Sequence, residues 1–276
     1  MALKRHLTEQ LYKWKNKPNR KPLILRGARQ VGKTTLVNEF AKTYKHHIYL
    51  NLEKKTDSQY FEQTDDVNTI VESLLISNNI VSEDLGNTLL FIDEIQEQPK
   101  AIQLLRYFFE DIPDLHVIAA GSLLEFALKD VKSFPVGRVE FLYLYPFNFM
   151  EYLEAIGHHT GLNALKNIPV KPVAHSTLLS LFNDYAIIGG MPEVVDQFIK
   201  NKRVTDLSSI YESIWSSYIS DSEKYASNTT EKNVIKHIMS TAAYSIDQRI
   251  KFQNFGNSNY RSREVTPITI FGHGHP

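Results

Sequence analysis

The chain has 276 residues, 42% hydrophobic and 22% charged, enough for a sizeable core in one large or two modest domains. Its 31 basic and 31 acidic residues balance, so bulk charge points to neither a nucleic acid nor an acidic partner. There is no cysteine, which excludes disulfides, thiol catalysis and cysteine zinc sites; no apolar run reaches the ~18 residues of a membrane span and the N-terminus has no apolar stretch of signal-peptide type, so a cytosolic protein without membrane contact is expected.

The first 26 residues carry Lys4, Arg5, Lys13, Lys15, Lys17, Arg20, Lys21 and Arg26 against Glu9 alone. Leu3, Leu7, Leu11 and Trp14 recur at helical spacing, which predicts a helix with one face on the core. The basic residues then form either a solvated helix and linker over 1–19 or a patch that touches nucleic acid.

Pro22-Leu23-Ile24-Leu25-Arg26 reads as a buried strand, and Thr35-Leu36-Val37-Asn38-Glu39-Phe40-Ala41-Lys42 as a helix. Between them, Gly27-Ala28-Arg29-Gln30-Val31-Gly32-Lys33-Thr34 fits G-x-x-x-x-G-K-[ST] in the strand–loop–helix context that the phosphate-binding loop needs. Backbone N–H groups of residues 27–35 can cradle phosphate at the positive end of the helix. Lys33 would reach the β- and γ-phosphates and Thr34 would ligate Mg²⁺, with Thr35 completing the contacts to the nucleotide.

His47-Ile48-Tyr49-Leu50-Asn51-Leu52 is a second strand, and Phe61, Val67, Ile70, Val71, Leu74 and Leu75 predict two short helices. Thr88-Leu89-Leu90-Phe91-Ile92-Asp93-Glu94 has the form of a buried strand ending in two acids, at the sheet edge where ligands collect. Asp93 would hold Mg²⁺, directly or through water, and Glu94 would orient and deprotonate the attacking water. A helix begins at Pro99, and Leu115-His116-Val117-Ile118-Ala119-Ala120 is another buried strand. Ser122 follows it, and could sense the γ-phosphate or cap a helix over 123–128.

Val139-Glu140-Phe141-Leu142-Tyr143-Leu144-Tyr145 is apolar on both faces and reads as a fifth, mostly buried strand. Arg138, at its entrance, is either an arginine finger on a γ-phosphate or an ordinary salt-bridge arginine. From Pro146 the pattern turns helical. Thr160-Gly161 reads as a break and residues 163–172 as a linker; Gly189-Gly190-Met191-Pro192 reads as a tight helix–helix connection. Asn228 with Glu231 resembles a capping pair. The tail holds a loop over 255–260, a strand over 265–271 and a frayed end with His273 and His275.

Arg26 to Thr34, Phe91-Ile92-Asp93-Glu94-Ile95-Gln96, Gly121-Ser122, Gly137-Arg138 with Pro146-Phe147-Asn148-Phe149, and Gly189-Gly190-Met191-Pro192-Glu193-Val194-Val195 occur in one order. In that order they resemble a prokaryotic AAA+-like ATPase family whose members join an N-terminal ATPase domain to a C-terminal DUF4143 region. The resemblance implies an α/β fold of P-loop NTPase (AAA+/ASCE) type: a five-stranded parallel sheet with flanking helices, then a mostly helical C-terminal region. It implies ATP as the nucleotide, and the strand bearing Ser122 between the P-loop and Walker B strands.

The expected organisation is an N-terminal helix and basic linker over 1–19, an ATPase domain over 20–155, an incomplete DUF4143-like helical region over 173–264 and a tail outside the family over 265–276. Family members usually continue further, so a C-terminally truncated chain is expected. Water is the expected phosphoryl acceptor, because two adjacent acids follow the strand and no separate acceptor motif is present. The alternative is a nucleotide-gated module that binds a protein or DNA client with little turnover. An arginine supplied in trans would require a homo-oligomer.

Overall fold

The computed structural model describes residues 3–122, 124, 135, 137–167, 169–226, 228–242 and 244, with the side chains of 222–225 left aside. The loop, strand and histidines expected over 255–275 lie outside these residues, as does all but Leu124 of the helix expected over 123–128. The chain divides into two compact units, Met1–Leu207 and Ser208–Pro276.

The first unit is built on a parallel sheet of β1 (Leu23–Arg26), β2 (His46–Asn51), β3 (Thr88–Asp93), β4 (His116–Ala120) and β5 (Glu140–Tyr143), in the order β2-β3-β4-β1-β5. Every residue of β3 and β4 is buried, as continuous apolar runs in a parallel sheet covered on both faces should be. Ile24, Ile48, Leu50, Leu90, Ile92, Val117 and Ala119 pack on one face with α3 (Lys55–Gln63), α4 (Val67–Ser77) and α5 (Pro99–Asp111). Leu23, Leu25, Leu89, Phe91, Ile118 and Ala120 pack on the other with α1 (Leu7–Lys15) and α2 (Lys33–Ala41). The alternation along each strand is the period-2 geometry of a pleated strand. Leu11 and Trp14 are the buried face of α1.

Two sequence expectations change here. Among the described residues β5 is one of the two outer strands of the sheet, paired on one side with β1, and Tyr143 and Tyr145 are 44% and 64% exposed; two apolar faces do not by themselves bury such a strand. Residues 159–166 are a helix rather than a break and linker: His158 caps it by accepting the Gly161 N–H on Nδ1 at 3.0 Å.

After β5 come α6 (Phe149–Ala155), α7 (His159–Lys166), α8 (Pro172–Ile188) and α9 (Pro192–Asn201). Asn148 and Glu151 form a reciprocal capping box at the start of α6. In the second unit α10 (Ser208–Tyr225) and α11 (Thr229–Ala242) pack on each other, with Ile214, Val234 and Ile235 buried. Asn228 caps α11, accepting the Glu231 N–H at 2.9 Å. No helix among the described residues is long and apolar enough to cross a membrane.

Candidate functional site

Residues 27–32 link the end of β1 to the start of α2. Gly27 (φ 149°) and Gly32 (φ 91°) hold backbone angles that side chains disfavour. A Cβ on Gly27 would also collide with the Leu144 carbonyl, so the loop leaves the sheet pressed against the chain beyond β5. Gln30 takes a left-handed angle (φ 64°) as well. Lys33 is 7% exposed, and its Nζ donates to the carbonyls of Gly27 and Ala28, both at 2.9 Å. An ammonium has three donors, so one remains beyond these two bonds. Burial pushes this ammonium below its ordinary pKa, while the nearby Glu94 and Asp93 carboxylates oppose the shift.

Thr34, one residue into α2, donates its hydroxyl to Asp93 Oδ2 at 2.7 Å. The parallel sheet explains how residues 59 apart meet: both β1 and β3 end at the same sheet edge, and Asp93 is the last residue of β3. Asp93 is 3% exposed. Burial lifts its carboxyl above the usual range against the pull of the Thr34 hydroxyl, and the Glu94 charge adds to the lift. Tyr49 of β2 donates to the same oxygen at 3.2 Å; burial, then the Asp93 charge, pushes its phenol up to about 12, so it remains a donor.

Glu94 adopts φ 50°, and its N–H donates to Asp93 Oδ1 at 3.1 Å. Gln96 Nε2 donates to Glu94 Oε2 at 2.6 Å. Ser122 follows the end of β4, which lies between β1 and β3, so it sits at the same sheet edge as the loop and the two acids.

Arg138 is elsewhere. It precedes β5, which runs parallel to β1, and so stands at the sheet edge where the strands begin. Its Nε donates to Glu110 Oε1 at 2.7 Å, beside a cavity of about 740 Å³ lined by Asp65, Lys100, Arg106 and Tyr107. Within one chain the fold does not bring Arg138 to the glycine loop.

Two contacts at the loop are not legible in the sequence, although the Gly189–Gly190 turn is the tight helix–helix connection expected. Arg5 is buried, donates Nη1 to the Val31 carbonyl at 2.8 Å and lies 4.4 Å from the Phe147 ring centroid. Nothing in its sequence position separates it from the other basic residues around it. The second is the double-glycine turn. A Cβ on Gly190 would collide with the Phe147 backbone, Phe147 N–H donates to the Gly190 carbonyl at 2.7 Å, and Tyr185 OH donates to the Phe147 carbonyl at 2.7 Å. So held, the turn delivers Pro192 to the loop, with its Cγ 3.7 Å from where a Gly32 Cβ would stand.

Several basic residues near the N-terminus are also engaged. Lys15 Nζ donates to the Thr43 carbonyl at 2.6 Å and sits over the Tyr44 ring, and Lys17 pairs with Glu140 at 2.9 Å.

The sheet order, the glycine loop and the helix after it define a P-loop NTPase fold of AAA type. Residues 19–153 match the AAA_14 family model, an AAA domain. Residues 179–267 match a different model, a domain of unknown function, DUF8612. The model matched over these residues is thus a different one from the expected DUF4143 region, which is not shown. Among solved structures the chain is similar to C. elegans PCH-2 (14% identity, TM-score 0.38), covering 70% of this chain and 59% of that one. It is similar to AMPPCP-bound DnaA from Aquifex aeolicus (11% identity, TM-score 0.37), covering 95% of this chain and 85% of that one. For Drosophila ORC bound to DNA the identity is 17%, the TM-score 0.40 and the coverage 88% of this chain and 67% of that one. No curated protein matches the chain.

Proposed function

We propose that the chain binds Mg·ATP and hydrolyses it. The observation that carries this is the Thr34 hydroxyl on Asp93 Oδ2 at 2.7 Å, directly beside a glycine loop with Lys33 folded against it. A hydroxyl and one carboxylate are hard oxygen donors of the kind Mg²⁺ takes alongside water and phosphate. Two protein oxygens leave most of an octahedral Mg²⁺ shell to phosphate and water, which is how this cation is commonly held beside a nucleotide. When bound, Mg²⁺ neutralises charge on the phosphate oxygens.

The loop from Gly27 to Gly32 (Gly27, Ala28, Arg29, Gln30, Val31 and Gly32) offers backbone N–H groups to the phosphates, with Thr34 and Thr35 at the positive helix end. Lys33 holds the β- and γ-phosphates. Thr34 and Asp93 hold the cation. Glu94 takes a proton from the attacking water, and Ser122 contacts the γ-phosphate. Phosphoryl transfer needs positioning and charge stabilisation more than covalent chemistry, and these groups supply both.

The test is ATP binding and turnover by the wild type, Lys33→Ala and Glu94→Gln, at one protein concentration and at ten times that. Binding should be lost in Lys33→Ala; Glu94→Gln should bind ATP without turnover. Tight binding without turnover in the wild type would replace this reading with the nucleotide-gated module. A specific rate that rises with concentration and falls in Arg138→Ala would place Arg138 at the site of a neighbouring copy.

A further inference from the structure

Gln96 is a buried amide that the proposed chemistry leaves unused. It is 9% exposed, and its Nε2 donates to Glu94 Oε2 at 2.6 Å. A carboxylate only accepts, so the NH₂ end of the amide must face Glu94 and the carbonyl must face away. That carbonyl oxygen is buried and has no hydrogen-bond partner among the described residues. It lies over Gly121: a Cβ there would collide with Oε1 and stand 3.6 Å from Ile95 Cγ2.

A buried acceptor without a donor weakens the folded state. Methionine would fill the same space without that loss, so stability does not explain an amide here. What the amide does is fix one carboxylate. The Glu94 backbone is held by its own N–H on Asp93 Oδ1 at 3.1 Å, but its side chain is half-buried and has Gln96 as its hydrogen-bond partner. Reaction rates fall steeply when a base is displaced by about an ångström, so a freely rotating carboxylate would serve poorly.

We propose that Gln96 is a positioning residue for hydrolysis, its amide N–H holding the Glu94 carboxylate where it can take a proton from the attacking water. The proposal rests on the ATPase reading above. Gly121 belongs to the same device: it leaves room for the Gln96 carbonyl, and so keeps the amide against Glu94.

The experiment uses the full chain and compares wild type, Gln96→Met, Gly121→Ala and the double variant. It reads kcat, KM and equilibrium affinity for ATP, and thermal unfolding without nucleotide. Gln96→Met should lower kcat at least about tenfold, with KM and ATP affinity within about twofold and a melting temperature equal to or above wild type. Gly121→Ala keeps the chemistry of Gln96 but pushes its amide away, so it should reproduce the loss in kcat. In the double variant the two losses should not add.

A kcat for Gln96→Met within about twofold of wild type, or above it, overturns the proposal. A lowered melting temperature with parallel loss of ATP affinity also overturns it, assigning Gln96 to structure alone. A wild type that binds ATP without turnover overturns the ATPase reading and this one together; turnover in wild type with Gln96→Met unaffected overturns this one alone.

Discussion

Arg5 Nη1 donates to the carbonyl of Val31 at 2.8 Å, so a residue ahead of α1 holds the glycine loop between β1 and α2. The same guanidinium donates Nε to Glu151 Oε1 at 3.2 Å and Nη2 to the Tyr145 carbonyl. Glu151 also accepts the His6 N–H and completes the cap of α6. One side chain thereby joins the loop, the chain beyond β5 and the first helix that follows.

Arg5→Gln removes one member of a buried ion pair and leaves Glu151 uncompensated. The expected cost is about 3–5 kcal/mol of unfolding free energy, read from urea or guanidinium transitions. Nucleotide affinity should fall as well, because the Val31 carbonyl loses its donor. A change under about 1 kcal/mol would mean that water replaces the guanidinium, as at exposed pairs.

Gly190→Ala should cost about 1–3 kcal/mol, since its Cβ meets the Phe147 backbone rather than a flexible side-chain end. The turn must then shift, and Pro192 with it, so nucleotide affinity should drop too. Gly86→Ala, where a Cβ meets nothing within 4 Å, is the control and should leave nucleotide affinity unchanged. Equal behaviour of the two variants in equilibrium binding would refute the role given to the turn.

Chelation tests the pairing of Thr34 with Asp93. In wild type, EDTA should weaken ATP binding at least about tenfold, or about 1.4 kcal/mol. Asp93→Asn should bind ATP weakly whether or not Mg²⁺ is present, because the amide carries no charge for the cation. Isothermal titration with and without the metal separates these cases, and full Mg²⁺ dependence in Asp93→Asn would count against the assignment.

His116 gives the first unit a pH dependence of known sign. It is buried at the start of β4; its Nδ1 lies 2.7 Å from the Tyr44 hydroxyl and its ring meets Trp14 edge-on. Burial first, then the Arg20 and Lys15 charges, pushes it down to about 3. Below about pH 6.5 the unfolded chain takes up a proton that the folded chain refuses, so stability falls with falling pH at up to about 1.4 kcal/mol per unit until the folded pKa is reached. Melting curves between pH 7 and pH 4 should show this slope in wild type and a shallower one in His116→Gln. An unchanged slope would assign it to other groups.

Local pattern made the centre of the site legible. A strand, a loop with glycines at fixed places and a helix can be read from Leu23 to Lys42, because each depends on neighbours within a few residues. Asp93 at the end of β3 and Glu94 after it were legible for the same reason, and the meeting of Asp93 with Thr34 follows once both strands run parallel to one edge. The capping pair of Asn228 with Glu231 is equally local.

The glycine loop, the two carboxylates and the run of buried strands are thus written in spacing and side-chain type. The remaining features come from long-range packing. It set β5 at the margin and exposed Tyr143 and Tyr145, because burial depends on how many strands lie alongside. It sent Arg138 to the edge away from the loop, because strand direction rather than residue type fixes which edge a loop occupies. It gave Arg5, Pro192 and Gln96 their places against Val31, Gly32 and Glu94. The Arg5 and Pro192 contacts join residues far apart in the chain and the Gln96 contact depends on a packed rotamer over Gly121, so no short-range pattern encodes them.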